Sequence, residues 1–137
     1  MIDWNEFNHG VVDEFRANAG HVGGRWAGAP MILVNHRGAR TGTEYTTPLV
    51  YTRDGDHFVV VGSKGGSPAH PHWFLNLVAH PEVTIEVGAE TIPVTARVAA
   101  GEERARLWAA RVAASPSFAD YAKAAGRELP VVVFERR

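Results

Sequence analysis

Apolar residues recur at three- and four-residue steps from Trp4 through Phe7, Val11 and Phe15, which gathers them on one face of a helix over residues 4–19. Asp3 followed by Glu6 has capping-box spacing, and Gly20 supplies a stop. A Gly-rich connector, residues 22–30, separates this helix from a run of strands at 31–36, 45–53 and 57–62. Asp54-Gly55 marks a tight hairpin turn between the second and third. The third strand is almost continuously apolar and is expected to be buried on both faces. Pro48 places the second at a sheet edge or a bulge. Residues 71–79 read as a short helix opened by Pro71, with Pro81 beyond its end. Val83, Ile85 and Val87 alternate with Thr84 and Glu86, and Ile92, Val94, Ala96 and Val98 alternate over 91–99, so the two segments predict a hairpin turning at 88–90. Residues 101–114 and 117–125 are helical, with Leu107 and Trp108 inward in the first, and 129–134 form the last strand.

Tight turns between strands mean antiparallel pairing. Strands and helices are segregated along the chain, so the class is α+β, not a doubly wound sheet. About six mainly antiparallel strands with flanking helices curl most easily into a small barrel. With 137 residues, one domain over 1–137 is expected, large enough to need no disulfide or metal staple. There is no Cys, which excludes thiolate zinc sites, iron–sulfur clusters and cysteine nucleophiles. Fourteen Lys+Arg against fifteen Asp+Glu give a net charge of −1, with no general pull toward nucleic acid. Asp3, Glu6, Asp13 and Glu14 argue against a signal peptide. The apolar runs 31–34 and 131–134 are too short to span a bilayer. The expected setting is cytoplasmic, with peripheral contact at a membrane surface left open.

Three segments carry candidate chemistry. The turn Arg37-Gly-Ala-Arg-Thr-Gly-Thr43 offers two guanidinium groups, two hydroxyls and two glycines. Arginine forks match phosphate and carboxylate oxygens, and glycine lets backbone N–H groups approach an anion. An ordinary solvated turn accounts for the same residues. The loop Gly62-Ser-Lys-Gly-Gly-Ser67 follows a buried strand and leads into a helix, so bare amides and Lys64 meet near a helix N-terminus. Its spacing is neither a Walker motif nor a dinucleotide fingerprint, and a plain Gly connector is the alternative. If the first three strands form a meander, the turn and the loop share one end of the sheet, and Arg40 and Lys64 make a local positive rim suited to an anionic small molecule. The third segment, His70-Pro-His-Trp-Phe-Leu-Asn76, lacks a third metal ligand at recognisable spacing, so no metal site is expected. Its rings pair as core contacts, Trp73 with Leu77 and Phe74 with Val78, or wall a flat ligand. No G-x-S-x-G elbow is present. Tyr121, beside Asp120, is either a proton donor or a packing residue.

Phe7-Asn8, Glu14-Phe-Arg-Ala-Asn18, Val22-Gly-Gly24, Gly38-Ala-Arg-Thr-Gly42, Thr46-Thr-Pro-Leu49, Asp54-Gly55, Ser63-Lys-Gly-Gly66, His70-Pro, Trp73, Leu75-Asn76, Pro81-Glu-Val83 and Pro130-Val-Val-Val133 run through almost the whole chain. As an ordered set they resemble the deazaflavin-dependent nitroreductase family, also described as coenzyme F-420-dependent quinone reductases. The resemblance implies a split β-barrel close to the FMN-binding split-barrel fold. It also implies binding of 8-hydroxy-5-deazaflavin through its phosphodiester and glutamate tail, and hydride transfer to a small quinone, enone or nitro-aromatic acceptor. By position, Arg40, Thr41, Ser63, Lys64 and Trp73 match residues lining the family's cofactor site, and Gly62, Gly65 and Asn76 are expected to bind the cofactor with them. Ser63 or Tyr121 would stabilise or protonate the acceptor oxygen. Three departures stand out. Ala39 and the pair Glu44-Tyr45 lie where basic residues are common, and Ser115 and Phe118 replace two of the tyrosines found in nitroimidazole-reducing members. A quinone or other conjugated acceptor is therefore the expected substrate, for a monomer or homodimer. The departures leave two alternatives: a carrier module that binds deazaflavin without turnover, and an FMN-dependent reductase of the same fold.

Overall fold

The computed structural model describes residues 4–21, 23, 30–62 and 70–137, with side chains from residue 10 onward within those stretches. Asp3, the side chains of Glu6, Trp4 and Phe7, most of the 22–30 connector, and Ser63, Lys64 and Gly65 lie outside the described residues.

Helix α1 (Trp4–Ala17) ends where the pattern expects: Gly20, at φ +92°, donates its N–H back to the Phe15 carbonyl at 2.8 Å. A Cβ on Gly20 would lie 2.8 Å from Gly88 Cα, so this close backbone approach also needs a glycine. Strands β1 (Met31–Arg37), β2 (Glu44–Val50), β3 (Thr52–Asp54) and β4 (His57–Val61) follow. Then come α2 (His72–Ala79), the hairpin β5 (Glu82–Val87) and β6 (Glu90–Val98), helices α3 (Gly101–Ala114) and α4 (Ser117–Ala125), and β7 (Val131–Arg136). The class is α+β, as expected.

The seven strands form one antiparallel sheet in the order β2-β1-β5-β6-β7-β4-β3. Its two edges, β2 and β3, are successive stretches of the same chain with Tyr51 between them. The sheet therefore curls back on itself, and 44–54 is its seam. The expected second strand, 45–53, is thus two strands: the first half pairs with β1 (Ile32 with Leu49), the second with β4 (Thr52 with Val59). The meander holds, but in halves. Pro48 stands opposite Leu33 in edge strand β2, where its missing N–H costs no ladder bond on the free side.

Alternation divides the strands' side chains between two layers. Ile32, Val34, Phe58, Val60, Ile85, Val94, Val132 and Phe134 fill the inside of the curl, and Trp73 and Leu77 of α2 plug it. On the outside, Val59, Val61, Val131 and Val133 meet Leu107 of α3 and Ala125 of α4, while Met31 and Leu33 meet Val11, Val12 and Phe15 of α1. β1, β4 and β7 are therefore apolar on both faces, which explains their continuous runs. Two expected core contacts are corrected. Val78 is 61% exposed because it lies opposite Trp73 and Leu77 around α2, and Val98 is 50% exposed at the end of β6, where the interior has closed.

Candidate functional site

β1 and β4 are related by four antiparallel steps through β5, β6 and β7, so they run in the same sense. The turn after Arg37 and the chain leaving Gly62 consequently open on one end of the sheet. Helix α2 is fastened to that end through Asn76. The Ala39 N–H donates to Asn76 Oδ1 at 2.9 Å, which fixes the amide's orientation. Asn76 Nδ2 then donates to His36 Nδ1 at 3.0 Å, leaving His36 Nε2 to donate to Thr47 Oγ1 at 2.8 Å. His36 is buried, and loss of water pushes its pKa down to about 4, so the ring is neutral in the folded protein near pH 7. Tyr45, at the position where a basic residue was noted as missing, stacks on His36 with centroids 5.6 Å apart.

Each expected site residue has a definite place here, or none that is described. Arg40 is exposed in the turn and pairs with no carboxylate among the described residues; Arg37 beside it faces Glu44 at 3.7 Å. The Thr41 hydroxyl is used within the turn, donating to Thr43 Oγ1 at 2.9 Å and accepting from the Thr43 N–H at 3.2 Å. Gly62 is buried where β4 ends, and a Cβ there would meet Pro130 Cγ at 2.8 Å. Its N–H donates to the Pro130 carbonyl. Trp73 is buried in the plug of the barrel, edge-on to Phe74. Asn76 has both amide atoms bonded to protein, so its position makes it a scaffold residue beneath the turn. Tyr121 is half-buried in the outer layer, packed against the cluster that holds Val61 and Leu129, with its ring edge-to-face on Phe118 at 5.4 Å.

Three residues matter that the sequence reading did not single out. His36 holds the turn from below. Arg127, just past α4, donates to His70 Nδ1 at 3.0 Å and to the Gly62 carbonyl at 3.1 Å, so it grips both ends of the 63–69 loop. Arg111 is buried with two donors unpartnered. A half-buried residue two steps before a helix, like His70, and a cation just after one, like Arg127, give no local signal of each other; only the fold brings them together. Among the described residues no group of three or more His, Cys, Asp or Glu could hold a metal, and no helix is long and apolar enough to cross a membrane.

A family model described as F420H(2)-dependent quinone reductase matches residues 8–136. The F420H(2)-dependent quinone reductase Rv1261c of Mycobacterium tuberculosis is 40% identical over 127 residues, covering 90% of this chain and 85% of that protein. Among solved structures, an F420-H2 dependent reductase (FDR-A) superposes with a TM-score of 0.71 at 36% identity, over 77% of this chain and 94% of its own. A domain-swapped dimer superposes with a TM-score of 0.74 at 34% identity, over 97% and 98%. The heme storage protein HutZ of Vibrio cholerae, with a TM-score of 0.60 at 11% identity over 92% and 87%, shares the split-barrel fold alone.

Proposed function

We propose, because the chain belongs to the F420H(2)-dependent quinone reductase family, that it passes a hydride from reduced coenzyme F-420 to a quinone-type acceptor. When bound, the coenzyme supplies that hydride from a ring carbon, since carbon in place of the flavin nitrogen disfavours one-electron steps. One observation carries the assignment of the site: the Arg40 turn and the exit of β4 open on the same end of the curled sheet. The residues present suit the coenzyme's anionic tail. Arg40 is exposed, lacks a carboxylate partner among the described residues, and rides on a turn held from beneath by Asn76. A guanidinium so presented takes a phosphodiester or glutamate oxygen. In this reading Lys64, with the amides of Ser63 and Gly65, completes the anion site beyond Gly62. Thr41 shapes the turn, while Trp73 and Asn76 set the floor. Ser63 and Tyr121 are the proposed hydroxyls that hold or protonate the acceptor oxygen as charge builds there. The protein's further task is to align donor and acceptor and exclude water. The reading keeps a cytoplasmic setting, with peripheral contact at a membrane surface left open, as a monomer or homodimer.

The test is a titration of oxidised coenzyme followed by tryptophan fluorescence. Quenching is expected, with FMN binding more weakly, and Arg40→Ala is expected to weaken the coenzyme about fivefold, the loss of one charge-assisted contact of about 1 kcal/mol. FMN binding as tightly as the coenzyme, or an affinity untouched in both Arg40→Ala and Lys64→Ala, would overturn the assignment. Tight coenzyme binding with no turnover against a panel of quinones would instead make the chain a carrier.

A further inference from the structure

Arg111 belongs to none of the groups described above, yet it is the most unusual polar residue in the molecule. It lies in the last turn of α3, one turn beyond the core residue Leu107, and only 3% of it is exposed. Its Nε and Nη1 have no hydrogen-bond partner, and no carboxylate pairs with it among the described residues. The guanidinium carbon sits 4.8 Å from the centre of the Phe118 ring, in the first turn of α4. A cation over an aromatic face regains part of what burial removes, but a ring accepts no hydrogen bond of normal strength from two donors. Loss of water also lowers the Arg111 pKa, while an arginine stays protonated even so.

The surroundings point to an anion. Helix α4 opens at Ser117 with no side chain capping its first turn, and Pro116 before it offers no N–H. Ser115 and Ser117 bring their hydroxyl oxygens within 3.2 Å of each other at this corner. The Phe118 and Ala119 N–H groups of that turn are taken by the Ser115 and Pro116 carbonyls, at 3.2 and 3.1 Å, so it is the two idle donors of the guanidinium that favour negative charge here. The corner is also coupled to the candidate site. Phe118 packs on Tyr121, and α4 runs from there to Arg127, which holds Gly62 and His70.

We propose that Arg111 is a specificity-determining residue that takes the carboxylate of an acidic conjugated acceptor, with the half-buried Phe118 ring as the cover that such a ligand displaces. This rests on the reductase reading for the identity of the ligand as an acceptor, though not for the existence of the carboxylate site. The same composition explains why a phenol-rich corner is absent: a guanidinium serves an acid where tyrosines at 115 and 118 would serve a neutral or nitro group.

Two measurements on the full chain separate the claims. The first uses calorimetry without coenzyme, titrating 1-naphthoate and its neutral counterpart 1-naphthylmethanol. The wild type is expected to bind the carboxylate at least tenfold more tightly. Arg111→Met should abolish that preference and Arg111→Lys retain part of it. Equal binding of the two probes by the wild type, or a preference that survives in Arg111→Met, overturns the proposal. The second compares turnover of a naphthoquinone bearing a propionate side chain with turnover of its methyl ester, using reduced coenzyme. A tenfold higher kcat/KM for the acid than for the ester is expected, with the ratio falling to about one in Arg111→Met. If neither quinone is reduced, the reductase reading fails and the calorimetry still decides the carboxylate site. Stability supplies a third readout. Removing an unpaired buried charge should raise Tm, whereas a structural arginine would lower it on removal, so a fall in Tm for both variants counts against the proposal.

Discussion

The regions beneath α2 and beneath α3 both bury polar side chains, and they treat them in opposite ways. Beneath α2, both ring nitrogens of His36 and both amide atoms of Asn76 are bonded to groups from other parts of the chain. Beneath α3, Arg111 keeps two donors without partners. The first arrangement fixes a geometry, because each buried group specifies where its partner must be. The second leaves a cost in the folded protein that the Phe118 ring offsets in part and a bound anion would offset further. Buried polarity by itself therefore says little; whether it is satisfied separates a scaffold from a candidate binding group.

The sharpest way to break this contrast is at Asn76. Replacing it by Leu removes the acceptor for the part-buried Ala39 N–H and the donor to the buried His36 Nδ1, leaving both unpaired. The expected cost is about 4 kcal/mol, or a fall in Tm of about 15 °C. Asn76→Asp keeps the acceptor for Ala39 and should lie between. Thermal unfolding checks both, and a loss under 1 kcal/mol for Asn76→Leu would show that the amide is not the scaffold argued for.

A milder perturbation uses pH. His36 titrates near 4 in the folded protein against its ordinary value near 6.5, so the unfolded chain binds more protons between those values. The stability that the neutral ring supplies is complete above pH 6.5 and is lost as pH falls toward 4. The expected loss across that window is roughly 3 kcal/mol. Arg16 holds Glu86, and Arg97 holds Glu103 and Glu135, below the usual carboxylate range, so acid losses from these groups begin lower. Denaturant midpoints measured from pH 7.5 to 4.5 should fall in the wild type and stay flatter in His36→Gln. Parallel curves would assign the acid sensitivity to some other group.

These two residues also show where reading the sequence stops. The hairpins, the double-sided burial of β4 and the edge position of Pro48 are all carried by local spacing, so the curled sheet was legible before any coordinate. The break at Tyr51 was not, because 45–53 is continuously strand-forming and only the closing of the sheet forces a change of partner. The family resemblance makes Asn76 an expected cofactor-binding residue, and nothing local announces the bonds its amide makes within the protein. Its partners, Ala39 and His36, lie about forty positions away, and only the folded chain supplies them. Arg111 carries no local signal at all. In a helix with several charges it looks like one more solvated side chain, and burial alone distinguishes it.

Arg127 joins the two regions, and its loss should have the smallest effect on stability and a selective one on binding. It follows α4, donates to His70 just before α2, and donates to the carbonyl of Gly62 where β4 ends. Both acceptors are local loop positions, and the barrel interior does not depend on them. Arg127→Met is therefore expected to cost only about 1 kcal/mol in stability. Its larger consequence is on binding: Gly62 and His70, which flank residues 63–69, lose the group that ties them together. Coenzyme affinity should fall about fivefold to tenfold, appearing as a raised KM for the coenzyme with kcat nearly unchanged. Arg127→Lys can reach one acceptor and should recover part of the loss. A drop in kcat with KM unchanged would place Arg127 against the reacting end of the site, and the two regions would then be coupled through the chemistry itself and not through the loop.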